Sequence, residues 1–298
     1  MKKVLWALEF FVFFAISFPL SLIPHSLIKK AGGALGTIAY LLWRKRRLIA
    51  IENLRTAIER NAVSVAEPPE EIIKEFFKNI GRSFIELLKV YWGRGNKIFG
   101  SVHIEGKENF DHAKAKGKGV IFITGHTGNW ELMSISLSLK VDSIGVVARP
   151  INNPFLNRFV ETSRTKYGNR VIYKKGGLKE MLQSLRQGKT IGLLIDQSVV
   201  HSEGVLIEFL GSPAWTLKVP ALLARKTDSP VLAVFIKRTE TGHVINISPE
   251  VSLSGDEIED TKKLTGYVER YVKENPTEWL WIHRRWKRAY PVSSLLSL

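Results

Sequence analysis

An α/β fold, with a mixed, largely parallel sheet flanked by helices and an apolar N-terminal helix ahead of it, is predicted by three features of the sequence. From about residue 100 onward, short apolar runs alternate with helical patterns. Most of those runs are continuously apolar rather than alternating, which marks strands covered on both faces. Residues 4 to 24 form one apolar stretch interrupted only by Glu9.

The N-terminal stretch "VLWALEFFVFFAISFPLSLIP" carries six Phe and Trp residues and approaches the ~20 residues needed to cross a bilayer. The following "SLIPHSLIKK" offers no small-residue cleavage site, so residues 1–26 are expected to be a retained anchor. Glu9, Pro19 and Pro24 leave open whether the anchor spans or re-enters. Lys29, Lys30 and "WRKRR" at 43–47 outweigh Lys2 and Lys3, which places the body on the cytoplasmic side of the membrane. The same basic cluster suits an anionic membrane surface.

Residues 27–60 read as helical, mixing apolar and basic positions in the manner of a helix lying on a membrane. Residues 27–99 are thus expected to be membrane-associated helices. After the proline-punctuated "SVAEPPEE", the segment 70–92 predicts a helix with Ile72, Phe76, Phe77, Ile80, Phe84, Leu87 and Leu88 on one stripe. That stripe fits either core or the lining of an acyl groove.

Residues 100–298 read as one α/β unit. Strands are expected at 119–124, 143–148, 170–173, 190–196, 205–209, 231–237 and 243–248. Helices are expected at 130–140, 154–168, 177–187, 216–227, 256–274 and 276–288.

The 298 residues include 44 Lys and Arg against 28 Asp and Glu, a net charge of +16. This favours an anionic partner: lipid, an acidic carrier protein or nucleic acid. The absence of cysteine excludes thiolate nucleophiles, disulfides and Cys-based metal sites.

Within "TGHTGNWEL", His126 and Glu131 stand five residues apart. On one helix that spacing rotates the side chains roughly 140° apart, and in one strand it puts them on opposite faces. They converge only if the chain turns at Gly125, Thr127, Gly128 and Asn129, between a strand and a helix capped by Asn129. His126 then lies at the carboxyl end of a strand, where open α/β sheets bind ligands. With the Glu131 carboxylate holding its other nitrogen, the imidazole is equipped to deprotonate a substrate hydroxyl. A capping or core histidine is the alternative reading of so short a pattern.

"GVIFITGHTGNWEL", "RLIAIENLRTAI", "VVARPINNPFLNRF", "GLLIDQ", "IEFLGSPAWT" and above all "NPTEWLWIHRRWK" resemble the lipid A late acyltransferases. Those lauroyl and myristoyl transferases belong within the H-x-x-x-x-D/E glycerolipid acyltransferases. The resemblance covers nearly the whole chain and implies a glycerol-3-phosphate acyltransferase-like arrangement in the inner membrane. It also implies transfer of an acyl chain from acyl carrier protein to a lipid A precursor; no metal or cofactor is expected, since no H-x-x-x-H or carboxylate cluster has ligand spacing. His126 and Glu131 match its catalytic pair. Arg149 matches a family arginine placed to meet substrate phosphate or the thioester region, though a surface ion pair is equally open. Asp196 and Gln197 match its Asp-Gln pair; closing an apolar strand near the same sheet edge as His126, they fit a site-organising or acceptor-binding role, with a loop cap as the alternative. Backbone amides from Gly125 through Gly128 and Asn129, or Arg149, are expected to support the oxyanion.

In "EWLWIHRRWKR", a helix would put Trp279, His283 and Trp286 on one face and Arg284 and Arg288 on another. Arg284 and Arg285 are expected to grip a phosphorylated headgroup, and His283 to pack rather than react. Aromatic and basic interleaving also suits nucleic acid, but the anchor tips the expectation toward lipid. The competing functions are an acyltransferase with another glycolipid or lysophospholipid acceptor, and a non-enzymatic, membrane-tethered polyanion binder.

Overall fold

The structure, a computed structural model, describes residues 2–174 and 176–289. Helix α1 (Lys2–Leu22) leads through a 3-10 turn at His25–Leu27 into α2 (Ile28–Leu42), α3 (Arg44–Glu59) and α4 (Pro69–Tyr91). A short α5 (Asn96–Gly100), strand β1 (Val102–Glu105) and α6 (Lys107–Ala115) follow. Next come β2 (Val120–Thr124), α7 (Trp130–Lys140), β3 (Ile144–Ala148), α8 (Pro154–Thr165), β4 (Arg170–Tyr173), α9 (Gly177–Arg186) and β5 (Thr190–Leu194). A hairpin of β6 (Gly204–Phe209) and β7 (Ser212–Leu217) precedes α10 (Val219–Thr227), β8 (Val231–Arg238), β9 (His243–Glu250) and α11 (Glu257–Glu274).

Seven strands form one sheet in the order β1-β9-β8-β2-β5-β3-β4, parallel at every junction except β8/β9. The mixed, largely parallel α/β fold is therefore present. Alternate residues of the central strands serve opposite faces: Ile121 and Ile123 pack on one side, Val120 and Phe122 on the other, all buried. This double coverage explains why β2 reads as an unbroken apolar run. The β6/β7 hairpin stands apart from the sheet as an antiparallel pair.

Two strands, β1 and β7, were not expected. β1 is four residues long with a single fully buried side chain; β7 turns Ser212, Ala214 and Thr216 inward, too small and polar to mark a strand, and its last residues take the start of the helix expected over 216–227, which begins at Val219. The continuous helix expected over 27–60 is two, broken at Trp43, whose backbone leaves the helical region. The buried face of α4 is turned from the expected stripe: Ile85 is buried while Phe84 is 40% exposed. Ile73, Phe76 and Phe77 share a core with the sheet residues Ile121 and Ile123. No helix forms over 276–288 beyond a 3-10 turn at Pro276–Glu278; the chain continues through turns to Ala289.

Helix α1 is long and apolar enough to cross a membrane, and most of its apolar surface is exposed, Val4, Leu5, Phe11 and Ile16 among it. One flank packs on the body. The Trp92 ring meets Phe14 and Phe18, and Phe159 of α8 meets Phe10 and Phe13. Asn153, just before α8, donates to Glu9 (3.0 Å) and to the Trp6 carbonyl, satisfying the one acid of the apolar stretch. Lys89 of α4 donates to the Ser21 and Ile23 carbonyls (2.8 and 2.6 Å), a cation at the negative end of the α1 dipole.

Helices α2 and α4 cross at glycine. A Cβ on Gly36 would lie 2.2 Å from the Phe77 carbonyl oxygen, and one on Gly81 would lie 2.1 Å from that of Gly32. Gly36→Ala is expected to push the helices apart and lower stability by about 1–3 kcal/mol. Gly266→Ala on α11, where a Cβ meets nothing within 4 Å, is expected to be neutral or stabilising by up to about 1 kcal/mol. Thermal unfolding of both variants in detergent checks the contrast.

Candidate active site

The site begins with the register of two strands. In the parallel pair β2/β5, Thr124 stands opposite Leu194, and the ladder continues as the Ile195 amide donates to the Thr124 carbonyl (3.0 Å). Two residues beyond this common end come His126 on one strand and Asp196 on the other. Both therefore leave the sheet side by side at its carboxyl edge, where the topology places a ligand crevice.

His126 Nδ1 lies 2.8 Å from Asp196 Oδ1, and the His126 backbone amide donates to Asp196 Oδ2 (2.9 Å). Trp279 Nε1 donates to the same Oδ2 (2.8 Å). Asp196 is 2% exposed. Burial alone would raise its pKa, but the His126 charge and the hydrogen bonds from His126 and Trp279 outweigh it and bring the carboxyl to about 2. A carboxylate this firmly ionised holds the imidazole by Nδ1–H and leaves Nε2 as the working nitrogen. Gln197 Nε2 faces that nitrogen at 3.2 Å. The His126 side chain is 20% exposed, so the dyad opens outward at the imidazole and closes at the carboxylate.

Glu131 is elsewhere, which corrects the expected pairing. It sits in the first turn of α7, where Asn129 caps the helix by accepting from the Leu132 amide (3.2 Å). Its carboxylate is gripped by both ends of the Arg164 guanidinium on α8, Nε at 3.0 Å, and the Tyr91 hydroxyl of α4 donates at 3.4 Å. The physical reason is the helix start: α7 turns Glu131 toward α4 and α8, while Asp196 already fills the place beside Nδ1. Burial favours the neutral guanidinium, but the Glu131 carboxylate overrides it and holds Arg164 firmly charged.

The loop amides are also committed. His126 N donates to Asp196, Thr127 N to the Gly125 carbonyl (2.8 Å) and Gly128 N to the Glu278 carbonyl (2.8 Å). These three amides hold the loop, which takes them out of the oxyanion support expected over Gly125–Asn129. Gly128 is required by its conformation: its φ is +52°, and a Cβ would lie 2.5 Å from the Ile236 carbonyl oxygen. Gly125 lies against Asp196 and Val268, and Asn129 donates to Glu86 Oε2 (3.0 Å), itself clamped by Arg238.

The C-terminal segment lies across this loop. Leu280 N donates to the His126 carbonyl (3.1 Å), and Thr127 bridges to Trp279. Trp279 and Trp281 are fully buried, so these tryptophans belong to the core beneath the dyad rather than to a membrane interface. Arg285, expected at a headgroup, is also fully buried. It donates to the Trp215 carbonyl (2.7 Å) and to Thr216, with its guanidinium 4.9 Å from the Phe209 ring centroid. Burial lowers its pKa to about 10. Arg284 is exposed, as is Arg149, which follows β3 two strands from β2. Burial drives the His283 imidazole down to about 4, and it feels the charges of Asp196 and His126. Trp279, Arg164 and Tyr91 were not singled out as partners of the motif. Trp279 alone carried a signal, as an indole in a polar-aromatic block, but not one that reveals its acceptor.

Comparison with known proteins gives the chain a family. A family model described as bacterial lipid A biosynthesis acyltransferase matches residues 2–288. The "lipid A biosynthesis acyltransferase" of Haemophilus influenzae is 23% identical over 290 residues, covering 95% of this chain and 88% of its own. The "lipid A biosynthesis palmitoleoyltransferase" of Escherichia coli K12 is 23% identical over 269 residues, covering 89% and 86%. The "phosphatidylinositol mannoside acyltransferase" of Mycobacterium tuberculosis is 23% identical over 244 residues, covering 79% and 77%. The chain, an acyltransferase, belongs to the bacterial lipid A biosynthesis acyltransferase family.

Proposed function

We propose that this enzyme transfers a fatty acyl chain from acyl carrier protein to a hydroxyl of a lipid A precursor at the inner membrane. His126 is the general base and Asp196 its orienting carboxylate. The observation that carries the reading is the 2.8 Å His126–Asp196 contact at the shared carboxyl end of β2 and β5.

The acceptor hydroxyl takes the place of the Gln197 amide at His126 Nε2 and gives up its proton there. Its oxygen attacks the thioester carbonyl carbon, and the imidazolium that forms is stabilised by the ionised Asp196. When the tetrahedral intermediate collapses, the carbon–sulfur bond breaks, the new ester remains, and the thiolate recovers the proton from Nε2. Arg149, exposed after β3, meets the oxyanion or the carrier's phosphate in this reading. Gln197 reports on Nε2 and guides the hydroxyl. Glu131 acts through structure, fixing α7 to α8 by way of Arg164.

The body lies on the cytoplasmic side, with α1 in the bilayer and the 43–47 cluster on anionic headgroups. Support comes from the exposed apolar face of α1 and the exposed Leu41, Leu42 and Trp43 beside Arg44 and Lys45. The positive surface also suits an acidic carrier protein. A phosphorylated glycolipid other than lipid A is the second reading, favoured by the phosphatidylinositol mannoside acyltransferase relative.

His126→Ala is expected to lower kcat by about 10²–10⁴-fold. Asp196→Asn is expected to fall in the same range because it favours the wrong tautomer. The double variant should cost no more than the worse single one, since the two act as a unit. Steady-state assays with acyl carrier protein donors and a tetra-acylated precursor, read by mass spectrometry, check this; additive losses would separate the two residues.

Arg164→Leu leaves the Glu131 carboxylate part-buried without its cation, and a loss of about 3–5 kcal/mol in stability is expected. Glu131→Leu/Arg164→Leu together should recover much of it. Denaturant unfolding in detergent distinguishes this structural role from one in chemistry.

A further inference from the structure

Two basic stretches from opposite ends of the chain are brought together. Asn53 of α3 donates to the Trp281 and His283 carbonyls (2.7 and 2.9 Å), and Arg46 donates to the Ile282 carbonyl (3.1 Å). These bonds lay residues 281–288 along α3. The buried Arg285 anchors the segment from its other side, which leaves Arg284 and Lys287 exposed.

The result is a groove of about 910 Å³ walled by Tyr40, Leu48, Ile51 and Trp286. It adjoins a cleft of about 560 Å³ lined by Lys45, Arg46, Arg284, Lys287 and His283. Arg284 and Lys287 line both spaces, so one runs into the other. The charge is lopsided. Glu52 and Glu70, in the groove, are both taken by Arg55 at 3.8 and 3.0 Å. No acid lines the cleft among the described residues. There, partial burial and then the neighbouring Arg288, Arg284 and Arg46 charges disfavour the Lys287 ammonium. Like charges crowded without a counter-charge are relieved by an anion, and a phosphate monoester matches several Arg and Lys donors at once. The apolar wall beside them takes a hydrocarbon chain. The cleft is tied to the His126 loop by main-chain bonds: His283, which lines it, donates its amide to the Leu280 carbonyl (3.2 Å), and the Leu280 amide donates to the His126 carbonyl (3.1 Å).

We infer that this groove seats the acyl acceptor: a lipid whose phosphate is held by Arg46, Arg284 and Lys287 while one of its acyl chains lies along Tyr40, Leu48, Ile51 and Trp286. The inference rests on the acyl-transfer reading for the acceptor's identity, and on the groove's own shape and charge for its chemistry. Seated there, the lipid lies beside the exposed apolar residues Leu41, Leu42 and Trp43.

The test uses the full chain in nanodiscs of zwitterionic lipid. Equilibrium binding is measured for a tetra-acylated, phosphorylated lipid A precursor and for the same lipid after phosphatase treatment. Wild type is expected to bind the phosphorylated form at least about tenfold tighter, the scale of one charge-assisted contact or more. Arg284→Gln/Lys287→Gln should abolish that preference, and Arg284→Lys/Lys287→Arg should restore it. Leu48→Asp should weaken the acylated lipid but not its deacylated headgroup. In turnover, the Gln pair should raise the acceptor KM with kcat and the donor KM unchanged.

Equal binding of both lipids by wild type would overturn the inference, as would an unchanged preference in the Gln pair. A rise confined to the donor KM would make the cleft a carrier-protein dock instead. Competition by a short oligonucleotide but not by the lipid would make it a nucleic-acid surface, and competition by millimolar inorganic phosphate alone would reduce it to an anion site without a lipid. The binding measurement judges the groove; acyl transfer by wild type judges the reaction.

Discussion

The in-register parallel pairing of β2 and β5 is the constraint on which the site depends. With Thr124 opposite Leu194, the two strands run out together, and His126 and Asp196 emerge at the same height. A slip of one residue would turn Asp196 to the other face and leave the imidazole facing backbone. The register is in turn fixed by burial on both faces, since Ile121 and Ile123 serve one core and Val120 and Phe122 the other. The geometry of the His126–Asp196 pair is thus a consequence of core packing, not of the loop alone.

A fully buried carboxylate has to be compensated. Asp196 receives three donors from two distant parts of the chain: the His126 ring and amide, and the Trp279 indole. The C-terminal segment therefore completes the site from below. It reaches the His126 loop by main-chain bonds through Glu278 and Leu280, and it is held in place by buried Trp281, Arg285 and Trp286. A second ionic knot, Glu131 with Arg164 and Tyr91, ties the motif helix to α8, which also carries the aromatic contacts to α1. The apolar N-terminal helix and the His126 motif are thus two contacts apart.

Much of the fold was legible. Continuous apolar runs in β2, β3, β5 and β8 announced doubly covered strands, and the glycine-rich turn after β2 announced a site at the sheet's carboxyl edge. β1 and β7 were not legible, because a four-residue edge strand and a proline-bearing hairpin strand bury too little to leave a pattern. The block at 276–288 misled for a related reason. Its spacing of Trp and Arg fits a helix, but Trp279, Trp281 and Arg285 all find buried partners along an irregular path, and tertiary burial overrides local periodicity.

The sequence by itself determined the α/β class, the apolar helix at the front, the excess of positive charge and the presence of a histidine at a strand's end. Local spacing and composition suffice for these. Which carboxylate serves that histidine was decided only by tertiary structure, because Glu131 is near in sequence while Asp196 is near in space. The same holds for Arg284 and Arg285. They are adjacent and chemically identical, and only the packing of the hairpin against the C-terminal segment sends one to solvent and the other into the core.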